Sequence, residues 1–171
     1  MSKLRLFLNT VDHVNEWVGK MVGWLIIPMV LIATYEVILR YVFNRPTIWV
    51  WEINQWLMGG ITILTGGYIL LKGGHVIVDV FVVKLSPRKR AMIDLVTSVL
   101  FFLSIGLLLW GGTSQAWESL MSREESGTIF RGPIYIVKMT WPLGIFLLLL
   151  QGVAKFIRDL MIVVQHQGGK N

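Results

Sequence analysis

The chain has 171 residues, 54% of them hydrophobic and only 15% charged, with a mean hydropathy of +0.64. A soluble domain carries about 25% charged residues, so an ordinary water-facing surface is excluded. The net charge of +6 sits beside apolar stretches, which points to a membrane surface as partner and not to nucleic acid.

Taken in order, residues 3–16 put Leu4, Phe7, Leu8, Val11 and Val14 on one helical face, with Arg5, Asn9, Asp12, His13 and Glu16 on the other. This pattern predicts an amphipathic helix that lies in the cytoplasmic interface or extends the first span. The run lacks a small-residue cleavage site and carries Glu16 and Lys20, so it is read as retained.

Four uncharged windows follow, at 21–35, 53–71, 95–117 and 139–154. A spanning helix needs about 20 mostly apolar residues. With flanking lysines reaching out to the interface, the windows predict spans near 19–39, 52–71, 91–117 and 134–157. The fold expected is an all-α integral membrane protein of four transmembrane helices plus short amphipathic interfacial helices, forming one membrane domain over 1–171. Within the first span Gly19 and Gly23 are four apart, and Pro28 removes the backbone bond to Trp24, which predicts a local bend.

Glu36 and Arg40 are one helical turn apart at the end of that span and predict a structural ion pair. A free membrane carboxylate would instead suggest ion or proton movement. The stretch 36–67 then turns at Asn44, Arg45 and Pro46 and crosses Trp49, Trp51 and Trp56, read as interfacial aromatics. Beyond them Glu52, Gln55, Gly59, Thr62 and Gly66 recur at steps of 3 and 4, which draws one stripe of polar and small residues along a helix. Such a stripe suits a protein partner, because small residues admit a close backbone and polar ones hydrogen-bond across it.

After Lys72 the pair Gly73-Gly74 ends the helix, and 76–85 is apolar but too short to cross, so an interfacial segment is expected. Ser86 and Pro87 form a helix start, and Arg88, Lys89 and Arg90 stand where anionic lipid headgroups would meet them. Pro133 starts the last helix, Pro142 bends it, and Gln151 leaves an amide that needs a partner. Lys and Arg are concentrated on one side. Lys3, Arg5, Lys20, Lys72, Lys84, Arg88, Lys89, Arg90, Lys155, Arg158 and Lys170 oppose Arg40, Arg45, Arg123, Arg131 and Lys138. The positive-inside rule therefore places both termini in the cytoplasm.

No nucleotide loop, Ser/His/Asp set or metal cluster can be assembled, and there is no cysteine. The histidines at 13, 75 and 166 lie outside the spans, so no haem ligands are available within them. Neither enzymatic activity nor a cofactor is expected.

The sequence Glu36-x-x-x-Arg40-Tyr41-Val42-Phe43-Asn44, then Trp49-x-x-Glu52, then Gly74-His75-Val76-x-Val78-Asp79, resembles the small membrane subunit of tripartite ATP-independent periplasmic (TRAP) transporters. The resemblance covers essentially the whole chain, including Pro133-Ile134-Tyr135. Trp51 and Ile77 depart from the often acidic and often basic residues at those positions. The resemblance implies a bacterial cytoplasmic (inner) membrane location, with a large membrane subunit and a periplasmic substrate-binding protein as partners. The large subunit imports an organic acid by sodium-coupled elevator motion, and the small subunit extends its static scaffold. The rival readings are a self-sufficient four-helix exporter using Glu36 and a membrane-anchored enzyme subunit.

Overall fold

The computed structural model describes residues 2–73 and 87–165, with the side chains of 2, 87–91 and 165 excepted. All regular structure among the described residues is helical. The elements are α1 (Ser2–Gly23), α2 (Ile26–Tyr41), α3 (Val50–Leu64), α4 (Gly66–Leu71), α5 (Pro87–Ser122), α6 (Ile134–Lys138) and α7 (Thr140–Gln165). The expected interfacial segment at 76–85 lies outside the described residues.

The molecule is apolar outside and polar within. Its largest fully buried side chains are Gln151, Asn15 and Ser119, whereas Val96, Val99, Leu100 and Leu103 on α5 are all exposed. Water would select the opposite arrangement. Two stretches, Lys3–Tyr41 and Met92–Ser122, have the length and apolar composition to cross a membrane.

α7 is the element against which the others pack, touching α1, α3, α4, α5 and α6. It achieves this through small residues. A side chain at Gly144 would collide with Ile63 of α3, and one at Gly152 with Phe101 of α5. Phe101 and Phe102 meet edge to face, and Phe102 meets Phe156 in the same way, which fills the α5–α7 seam.

Three expected spans are interrupted. Pro28 has no N–H to give Trp24, whose carbonyl instead accepts from Ile27, and the chain breaks at Trp24-Leu25 before α2 resumes. α1 runs unbroken through Gly19 to Gly23, so the N-terminal amphipathic stretch and the start of the first expected span are one continuous helix. Pro142 repeats the device: the helix stops at Met139, and α7 resumes with the proline as its third residue. In the first turn a missing N–H costs nothing. The third break is at Thr65, whose hydroxyl bonds back to the Ile61 carbonyl at 2.6 Å, an arrangement that bends helices.

Candidate functional site

The turn between α2 and α3 is held by a single carboxylate. Asn44 adopts a left-handed conformation (φ 51°), and Arg45 N–H caps the Leu39 carbonyl at 3.0 Å. That geometry brings Thr47 back over the last turns of α2. Glu36 then accepts from Arg40 Nη2 at 2.8 Å and Nε at 3.2 Å through one oxygen. Its other oxygen accepts from the Thr47 N–H at 3.1 Å and from the Thr47 hydroxyl. The pairing with Arg40 is as the spacing predicts. Sequence reasoning missed Thr47, because it lies eleven positions on from Glu36, beyond the end of α2 and across the turn.

Glu52 is almost wholly buried and turns inward. Its Oε2 accepts from the Ser126 hydroxyl at 2.8 Å, and Ser126 Oγ accepts from the Gly132 N–H at 3.1 Å. Glu52 thus holds the 123–132 loop against α3, a loop shaped by left-handed Arg123 and Arg131. Beside it Lys138 Nζ donates to Glu124 at 2.5 Å. The Lys138 ammonium, and after it the nearby Ser119 hydroxyl, holds the Glu124 carboxyl below its usual range.

The expected partner stripe divides. Glu52 is occupied within the chain, and a Cβ added at Gly66 would sit 3.7 Å from Leu148 of α7. These two are corrected to internal contacts. The middle stays open: Gln55 and Thr62 are exposed, and nothing lies within 4 Å of a side chain built at Gly59. A one-residue break at Thr65 is enough to turn Gly66 and Gly67 toward α7 and α1 while α3 presents its middle outward.

The aromatic group divides as well. Trp51 is 78% exposed, but Trp49 packs on Tyr35 with ring centroids 6.3 Å apart. Trp56 packs on Phe130 at 6.2 Å and covers Gly132. Trp49 and Trp56 thus pack within the α2–α3 turn and against the 123–132 loop. The side chains of Arg88, Lys89 and Arg90, expected at lipid headgroups, lie outside the described residues.

A polar cluster between α1 and α7 supplies the partner that Gln151 requires. Asn15 Nδ2 donates to Gln151 Oε1 at 3.0 Å, Gln151 Nε2 donates to Asp12 Oδ1 at 2.9 Å, and Arg158 Nη2 donates to Asp12 Oδ2 at 2.5 Å. The amphipathic reading of α1 is thereby corrected. Its inward face is Leu8, Val11, Asp12, Asn15 and Gly19, while Phe7 and Val14 are exposed. Apolar surroundings reward burying the polar groups together, so Asp12 and Asn15 share the packed face with Leu8 and Val11 of the hydrophobic stripe, while Leu4, Phe7 and Val14 point away from it. The only signal for the cluster in the sequence was the lone amide at Gln151.

A family described as "Tripartite ATP-independent periplasmic transporters, DctQ component" matches residues 29–161, well over half of the chain. No curated protein matches.

Proposed function

Because this chain belongs to the DctQ family, and is therefore the membrane-integral small subunit of a TRAP transporter, we propose that it serves as a static scaffold that binds the large membrane subunit. In this reading four membrane crossings place both termini in the cytoplasm of a bacterium, in the inner membrane. The large subunit carries an organic acid inward, coupled to sodium, after a periplasmic binding protein delivers it. The small subunit performs no catalysis and needs no cofactor.

The observation that carries the proposal is the open middle of α3. Gln55, Gly59 and Thr62 present a polar and small surface that the described residues leave uncovered, and lipid gains nothing from such a surface. Gly106 of α5 is similarly open. Glu36, the carboxylate a stand-alone exporter would use, is taken up by Arg40 and Thr47, which favours the scaffold.

The test is co-purification. A Cβ added at Gly59 meets no atom of the described residues within 4 Å, so Gly59→Leu should express and melt like the wild type while losing the large subunit. Retention of the large subunit at wild-type yield would place the interface elsewhere.

A further inference from the structure

A cavity of about 310 Å³ opens between α2 and α3 below the turn that joins them. Arg40, Glu36 and Asn54 line it, and Ala33 lies at its deep end. Both oxygens of Glu36 are already taken, by Arg40 and Thr47, so the carboxylate has little left for a ligand. Two donors remain. The Arg40 side chain is still 55% exposed although paired. The side-chain amide of Asn54 makes no hydrogen bond among the described residues; its oxygen is sealed off, which leaves its Nδ2 to the cavity. We propose that this cavity seats one phospholipid, with its phosphate on Arg40, an ester carbonyl on Asn54 Nδ2 and an acyl chain running past Ala33.

The groups follow one another in the depth order of a lipid. The uncharged windows 21–35 and 53–71 end at Glu36 and Glu52, which sets the hydrocarbon edge at that level. At about 1.5 Å per residue, Arg40 stands about 6 Å beyond Glu36, within a headgroup layer about 5 to 8 Å deep. By the same rise Asn54 lies about 3 Å on the hydrocarbon side of Glu52, and Ala33 about 5 Å on that side of Glu36. One turn deeper still come Val30 and Met58, both exposed and apolar. Charge agrees with depth: Arg40 balances Glu36, and exposed Arg45 in the turn has no acidic partner among the described residues, which leaves one net positive charge. An amide N–H at the hydrocarbon edge without an acceptor is costly. A lipid ester supplies that acceptor beside its own phosphate, whereas a partner helix spends its backbone carbonyls internally. The inference rests on the chain lying in a membrane, not on its part in transport.

The full chain is placed in phosphatidylcholine nanodiscs with a trace of phosphatidylglycerol that carries a photoreactive diazirine on its acyl chain. After illumination, label on the peptides of α2 and α3 is compared with label on α5, whose exposed Val96, Val99 and Leu103 meet passing lipid and serve as the internal standard. Asn54→Leu removes an amide that no described residue bonds, so it should melt like the wild type. It should lower the ratio of α2–α3 label to α5 label about fivefold, the worth of one hydrogen bond. Ala33→Leu, which fills the deep end and leaves the amide in place, should lower the ratio as well. A diazirine diacylglycerol, with esters but no phosphate, should label α2 and α3 less than the phosphatidylglycerol does. An unchanged ratio in either variant, or equal labelling by the two lipids, would overturn the site. Label on α5 with none on α2 or α3 would show that no lipid enters the cavity, which also defeats the proposal.

Discussion

The amide oxygen of Asn15 stands where a Cβ on residue 67 would have to be. The two residues belong to α1 and α4, and the Leu147 carbonyl of α7 closes on the same point at 3.1 Å. Three helices therefore meet at a position that admits only hydrogen. Gly67→Ala should destabilise the fold by about 1–3 kcal/mol through overpacking, measured as thermal unfolding of the purified chain in detergent. Asn15→Ala in the same chain should recover part of the loss. A Gly67→Ala protein that melts like the wild type would show that α1 is not docked there.

The two carboxylates near the outer turn should respond oppositely to neutralisation. Glu36 accepts four hydrogen bonds, two of them from a guanidinium. Glu36→Gln should therefore cost about 1–3 kcal/mol, with partial rescue on changing Arg40 to Gln as well. Glu52 accepts one hydroxyl donor, and its buried Oε1 has no partner among the described residues. An uncompensated buried charge is expensive, so Glu52→Gln should be neutral or stabilising. Equal losses for both variants would show that the donor count does not govern them.

Acid should loosen the 123–132 loop. The Glu124 carboxyl is held below its ordinary value by Lys138, so its folded pKa lies under its unfolded one. The stabilisation is complete above the unfolded value and disappears as pH falls through the folded value. Proteolysis at Arg123 or Arg131, followed from about pH 5 downward with an acid-tolerant protease, should quicken in the wild type. In Lys138→Met the susceptibility should already be raised at pH 5 and should change less on acidification. Identical profiles would mean that the pair does not hold the loop.

Four crossings with both ends inside give a definite order of sides. Reporter fusions after residues 45, 73, 127 and 165 should report outside, inside, outside and inside. Any other order removes the proposed topology.

Much of this fold was legible because apolar windows in a low-charge chain have few alternatives to membrane helices. Glu36 and Arg40 could be paired from spacing alone, since neighbours one turn apart must meet. Which face of a helix meets which neighbour was not legible. In α1 the hydrophobic stripe marked Leu8 and Val11 but gave no hint that Asp12 and Asn15 would be packed beside them, because in apolar surroundings polar groups are also driven to find partners inside. In α3 the stripe was real, but Thr65 redirected its lower end onto α7. The central place of α7 escaped notice because Gly144 and Gly152 gain meaning only opposite Ile63 and Phe101. Nothing local announces such a contact.

The position of α7 in the chain also has a consequence for biogenesis. The helix on which the others lean is synthesised after them, with Leu147 following its neighbour Gly67 by 80 positions. At about 5–20 residues per second, several seconds pass during which α1, α3, α4 and α5 are made but their seams are empty. Throughout that interval Asp12 and Asn15 have neither Gln151 nor Arg158 to satisfy them. A chain stopped before α7 would therefore leave the Asn15 amide and the Asp12 carboxylate without the two side chains that satisfy them in the finished subunit.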